Sequence, residues 1–445
     1  MSSSPTGADI SADQRLLSRV RVTTRALRHR NFRLFLGGQF LSLVGTWVQS
    51  VAQSWLVYRL TDSPFMLGLV AFASQLPYLL SPIGGAFADR ANRHRLIVLT
   101  QALSMLQAVL LGVLTLTGAV QVWHVFSLAL ALGVIGVFDM TARQSFLVEM
   151  VGKDDLMNAI ALNSTVYNAG RIIGPAIAGV LVATIGEGYC FLLNGVTFLS
   201  VLAGLLMMRL PAKPAREPIA SPYEHFREGW EYIRGHAPSR ALLLHLGIVS
   251  IMNYPFLVLM PVFADRILRG GPEALGLLMS SFGVGAILGA IYMASRTGLR
   301  GLSRTITRAT ITYSVALILF AFSPNLYLSC ILLVVTGLGL MLQISSTNTA
   351  LQTLSPDALR GRVMGFYGMM FLGMAPIGSL MAGWLGEWIG ARYTVAFGAV
   401  VCIAAAAVFN RKRPVVVAAL RQITEQQATL MPIPAPIARS SNNGG

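Results

Sequence analysis

Apolar residues along this chain do not recur at the spacing of an amphipathic helix or of a half-buried strand. They fill blocks of about twenty residues almost free of charge, the length that crosses a hydrocarbon core of about 30 Å as a helix. Such blocks fall at 34–58, 63–88, 96–117, 122–142, 156–185 and 189–208, and again at 241–264, 274–295, 305–322, 326–348, 363–386 and 393–410. Two apolar runs are too long for one crossing and divide at the turn residues Thr117-Gly118 and Ser323-Pro324-Asn325. Lipid leaves backbone groups without partners, so only helices and closed barrels span it, and these blocks lack barrel alternation. The pattern predicts an all-α membrane protein with twelve transmembrane helices.

Composition agrees. Of the 445 residues 54% are hydrophobic and 12% charged, against about 25% charged in soluble domains. With both termini inside, 29 of the 34 Lys and Arg fall in inner segments, whereas the outer loops hold only Arg59, Arg266, Arg269 and Arg392. This asymmetry sets the orientation and makes the net charge of +16 a topological device rather than a nucleic-acid surface. Residues 1–31 read as a cytoplasmic basic arm without a cleavable signal. Leu16, Val20 and Leu27 sit there at helical spacing among arginines, which suits an amphipathic helix on the inner leaflet or an unstructured arm equally. Residues 411–445 read as a disordered cytoplasmic tail.

Cys190, Cys330 and Cys402 all lie in spans, and no Cys or His pair has metal-ligand spacing. No nucleophile elbow, phosphate loop or zinc motif occurs. The expectation is therefore no enzyme, no metal and no cofactor.

The chain repeats itself. Pro64-Phe-Met-Leu-Gly68-Leu69 matches Pro272-Glu-Ala-Leu-Gly276-Leu277 at a displacement of 208, and Gly179 to Gly186 matches Gly383 to Gly390 at 204, with Gly174 on Gly378. This order suggests two homologous six-helix halves at 32–208 and 239–410. The segment 209–238 joins them on the inner side, with Tyr223, Phe226, Trp230 and Ile233 on one face of a short helix expected on the membrane surface.

Polar residues inside the spans mark candidate chemistry. Gln39, Ser42, Thr46, Gln49 and Gln53 are spaced three or four apart and share a face of span one. That face either glues helices together or lines a hydrated cavity. Ser164, Asn168 and Arg171 share a face of span five, and Asn253 and Tyr254 precede Pro255 in span seven. Span five has no acid for Arg171, whose guanidinium either binds a carboxylate or catecholate or is satisfied by glutamines, carbonyls and water. On span four Asp139 and Arg143 stand four apart. They form a static ion pair or a proton switch in which Glu149 or the loop of Asp89 draws Arg143 away.

Six plus six helices in parallel repeats resemble the major facilitator superfamily of transporters. The inner loop after span two is similar to its signature G-x-x-x-D-R-x-G-x-x-R at Gly85, Asp89, Arg90, Asn92, Arg93 and Arg95. Asn92 replaces the second glycine, and Asn is the residue best able to take a left-handed turn in its place. Gly170, Gly174, Pro175 and Gly179 resemble the Gly-Pro motif of the antiporter branch, less one glycine of its closing pair, and suffice as tight packing positions. The stretches 139–146 and 158–164 resemble the subgroup of drug and siderophore exporters that includes the enterobactin exporter. The resemblance implies two pseudo-symmetric bundles around a cavity bordered by span one. It also implies that Asp89 meets the inner N-terminus of span eleven, near Arg360 and Arg362, as a conformational latch; an ion pair within its own loop is the alternative.

The expected function is a monomeric, proton-driven exporter of a small organic molecule, rocking between states in a bacterial cytoplasmic membrane. Its partners are a small-molecule substrate and the lipid bilayer, not nucleic acid. An importer of the same fold is the alternative, with a membrane enzyme or sensor behind it.

Overall fold

The computed structural model describes residues 25–80, 91–208, 222–296, 298–299 and 301–430, and every regular element among them is helical. The first half contributes α1 (Arg30–Thr61), α2 (Pro64–Gln75, prolonged by a 3-10 turn at Leu76–Leu80), α3 (Arg93–Leu116), α4 (Val122–Val151), α5 (Leu156–Ile185) and α6 (Glu187–Leu206). After the linker helix α7 (Pro222–Gly235) come α8 (Ala237–Val258), α9 (Gly271–Ser295), α10 (Leu302–Phe322), α11 (Leu326–Leu354), α12 (Arg360–Phe371), α13 (Ala375–Trp388) and α14 (Ala391–Leu430). Eleven segments among the described residues are long and apolar enough to cross a membrane, α12 and α13 counting as one, and the described part of α2 is a shorter apolar helix.

Local chemistry explains several boundaries. Pro64 opens α2 with its fixed φ, and Ser63 caps it by accepting from the Met66 amide. Asp62 ends α1 in the left-handed conformation at φ 49°. Asn92 corrects the sequence reading: it is not left-handed but extended at φ −69°, and its side chain accepts from the Arg95 amide at 3.1 Å as the N-cap of α3. The expected continuous span eleven is two helices, interrupted between Phe371 and Ala375. The last span runs on as helix past 410 to Leu430, where a disordered tail was expected.

In the first bundle α1 packs on α5 and α6, α3 on α4 and α6, and α2 on α4; in the second, α11 packs on α9 and α10, and α14 on α8 and α10. The bundles meet through α5 against α9 and α2 against α13, and glycine makes both contacts close. A Cβ on Gly276 would sit 2.8 Å from the Gly179 Cα, and one on Gly383 would sit 2.8 Å from the Gly68 Cα. These four glycines are the repeat partners found in the sequence, so pseudo-symmetry is expressed at the seam itself.

The linker helix packs inward on α8 and α12 of the second bundle. Ile233 is buried, the Tyr232 hydroxyl donates to the Leu354 carbonyl at 3.0 Å, and Glu228 pairs with Arg362. The Trp230 and Phe366 rings are 6.2 Å apart; the side chains of Tyr223 and Phe226 lie outside the described ones. Arg25–Arg28 form a short 3-10 turn against α1 and α5 of the first bundle, and positions 1–24 of the basic arm lie outside the described residues.

Candidate functional site

The polar stripe of α1 divides. Ser42 and Gln49 turn into the first bundle: Gln49 donates to Gln107 Oε1 at 2.9 Å and accepts from Asn194 Nδ2 at 2.6 Å, and both residues are buried. Gln49 is thus corrected from cavity lining to a helix-joining hydrogen bond. The neighbouring Gly38 and Gly45 let α6 close on this face, a Cβ on Gly38 meeting the Val201 Cα at 2.9 Å. Turned slightly away are Thr46 and Ser50, both exposed, and Gln53, half-buried. A polar group with open space beside it in mid-membrane calls for a water-filled cavity rather than lipid.

α5 brings its own polar face to the same place. Gly170 and Gly174 have no Cβ to hold off Leu43 and Trp47 of α1; a side chain on Gly174 would overlap the Trp47 Cβ. The Tyr167 ring then stands edge-on to Trp47, 6.2 Å between centroids. Ser164 and Tyr167 are exposed, and Asn168 donates to the Ser164 carbonyl at 2.8 Å. Arg171 follows one turn later, half-buried, with Nε and Nη2 buried and without a hydrogen-bond partner. From the second bundle Tyr254 is half-buried, its Cβ against Gly378, whereas Asn253 is buried with Oδ1 unpartnered. Pro175 is buried inside α5, and Gly179 lies four residues on at the seam with α9.

Asp139 is fully engaged. It accepts from Arg143 Nε at 2.5 Å, Thr100 Oγ1 at 2.7 Å and Gln101 Nε2 at 2.9 Å. Arg143 also donates to Gln39 Oε1 and lies 5.4 Å over the Phe35 ring. Gln39 therefore belongs to this network. Glu149, the expected rival for Arg143, is held by Arg93 at 2.9 Å.

Gly85, Asp89 and Arg90 lie outside the described residues. Arg95 is exposed, and the arginines expected to meet Asp89 have acids beside them: Arg360 pairs with Asp357 at 2.5 Å, and Arg362 with Glu228.

Sequence reasoning missed the charges that close the far side of the seam. Asp62 pairs with Arg266, whose Nη2 also donates to the Asp62 carbonyl at 2.9 Å, and the Tyr58 hydroxyl donates to Asp265 at 3.2 Å. Glu387 of α13 accepts from Ser63 Oγ at 2.8 Å and the Phe65 amide at 3.1 Å, a carboxylate on the N-terminus of α2. Deeper, Gln75 donates to Ser379 at 3.2 Å and Ser280 to the Ile172 carbonyl at 3.2 Å. The available signal was the scarcity of outer bases: Arg266 is one of four, and Arg59, which pairs with Glu187 at 2.8 Å, is another.

Known proteins agree with this architecture. A family model described as transmembrane secretion effector matches residues 22–440. The multidrug efflux pump Tap of Mycolicibacterium fortuitum is 30% identical over 79% of this chain and 88% of its own. The staphyloferrin A transporter of Staphylococcus aureus is 26% identical over 78% and 88%, and the enterobactin exporter EntS of Shigella flexneri 26% over 80% and 85%. Among solved structures, a bacterial homologue of the iron transporter ferroportin superposes with a TM-score of 0.66 at 18% identity, covering 86% of this chain and 98% of that one. The chain is a transporter of the major facilitator superfamily and belongs to its transmembrane secretion effector family.

Proposed function

We propose that the protein is a proton-coupled exporter of a small organic anion, working by alternating access in a bacterial cytoplasmic membrane with both termini in the cytoplasm. Arg171 carries this reading. A guanidinium in mid-membrane costs several kcal/mol unless paired, and here Nε and Nη2 have no protein partner, while Tyr167 and Ser164, one and two turns earlier on α5, are exposed. A planar carboxylate or catecholate would satisfy the fork bidentately, and Tyr167 and Trp47 offer aromatic faces to a ring. The conformation described has its seam closed at the far end by Asp62, Arg266 and Glu387, which suits a site loaded from the cytoplasm. Tap, the staphyloferrin A transporter and EntS, by their names, move drugs or siderophores, and this supports a substrate of that size.

The test compares compounds secreted by cells with and without the protein, in iron-poor and iron-replete medium. Loss of one secreted anion, restored by the parent gene and not by Arg171→Gln, is the expected result. Unchanged secretion of anions with lost resistance to cationic drugs would overturn the anion reading.

A further inference from the structure

Beneath the first turns of α10, a cavity of about 340 Å³ opens between α10 and α14. Arg304, Arg308 and Arg413 line it, with Asn410, Ile311 and Ala407. Arg413 Nη1 donates to Asn410 at 3.0 Å, and among the described residues no carboxylate pairs with any of the three arginines. Placing bases on the inner side needs no cavity; gathering three of them around one does. Below the arginines the same face of α10 carries Ile311, Val315, Leu319 and Phe322, all exposed and all apolar, at helical spacing. On α14 Val408, Val400, Phe397 and Tyr393 are likewise exposed, and Phe322 and Tyr393 meet edge to face at 6.0 Å where the two stripes end. The result is a basic pocket at headgroup level continued by an apolar groove at acyl level.

We infer that this pocket and groove bind one anionic phospholipid, its phosphate held by Arg304, Arg308 and Arg413 and an acyl chain lying over Ile311 and Val315. Charge complementarity selects the headgroup: three guanidiniums around a pocket whose own lining holds no acid among the described residues favour an anionic lipid over a zwitterionic one, whose own cation would be repelled. Val315 lies roughly 11 Å of helical rise below Arg308, well within one leaflet. The larger adjoining cavity, about 620 Å³, shares Arg304 and Arg413 with this pocket but also holds Glu425 beside Arg421, and is less suited to an anion. The lipid would fasten the inner ends of α10 and α14 together, on the outside of the second bundle and away from the substrate cavity. The inference is independent of which substrate is carried.

The experiment is native mass spectrometry of the purified full chain titrated with dioleoyl phosphatidylglycerol, dioleoyl phosphatidylcholine or inorganic phosphate. The parent should retain phosphatidylglycerol in a one-to-one adduct and prefer it to phosphatidylcholine by tenfold or more. R304Q/R308Q should weaken phosphatidylglycerol binding roughly thirtyfold, since each base near an anionic lipid contributes about a factor of five. Arg227→Gln removes an exposed base elsewhere and should change nothing. Ile311→Trp keeps every charge but fills the groove and should also lose the adduct, which keeps the test open if the double variant fails to fold. Equal phosphatidylglycerol affinity in R304Q/R308Q and the parent would overturn the inference. So would inorganic phosphate displacing the lipid as effectively as a second phospholipid, which would assign the pocket to a soluble anion.

Discussion

Gly179 of α5 and Gly276 of α9 meet backbone to backbone across the seam between the bundles, a Cβ on Gly179 falling 3.0 Å from the Gly276 Cα. Neither position tolerates a side chain without parting the helices. Overpacking of this kind costs about 1–3 kcal/mol. Gly276→Val should therefore shift the population away from the closed seam by roughly 5- to 150-fold. A cysteine placed at Ser50 should then react faster with a membrane-impermeant thiol reagent added from outside. Unchanged labelling would mean that the glycine contact does not govern closure.

Arg171→Lys keeps the charge but loses the planar fork. If a carboxylate is held bidentately, losing one charge-assisted hydrogen bond costs about 1.5–3 kcal/mol, so KM for exchange should rise roughly 10- to 150-fold with little change in purified yield. A Lys variant that exchanges substrate with the parental KM would refute bidentate recognition.

Among the described residues Asp139 is the one in-span acid tied to a base and two further donors. In proteoliposomes, Asp139→Asn should abolish uphill accumulation on an imposed pH gradient yet retain exchange down a concentration gradient. Removing one partner of this part-buried pair leaves the other charge unpaired, so D139N/R143Q should recover thermal stability without recovering pumping. Uphill transport by the Asn variant would move the proton path elsewhere.

Asp155 fastens the N-terminal turn to the loop before α5, with Arg25 Nε and Arg28 Nη2 each at 2.8 Å and His29 Nε2 at 2.7 Å. The His29 hydrogen bond first, then the two arginines, hold its carboxyl below the usual range. A depressed acid contributes stability at any pH above its unfolded value of about 3.9, and loses it as pH falls from there through the folded value. A spin label at Arg30 should stay immobile from pH 8 down to about 4 and loosen below it. Asp155→Asn should loosen it at neutral pH. Equal mobility in the parent and Asp155→Asn at neutral pH would overturn this role.

The apolar helical spans were legible in the sequence, because hydrocarbon thickness fixes span length, as were the repeat glycines Gly68, Gly179, Gly276 and Gly383 that meet at the seam. So were the Gly-Pro motif of α5 and the ion pair of Asp139 and Arg143, which are local along one helix. The polar stripe of α1 was visible but its rotation was not. A spacing of three and four places Gln49 and Thr46 on one broad face, and only the close approach of α6 at Gly38 and Gly45 sends Gln49 to Gln107 and Asn194 and leaves Thr46 open. The seam charges were equally hidden. Asp62 and Arg266 stand 204 residues apart, and Ser63 and Glu387 324 apart, and no local pattern couples them. Helix existence is decided by burial of the backbone in lipid, which the chain encodes residue by residue; which faces meet is decided by the packing of one helix on another, which only the assembled bundle contains.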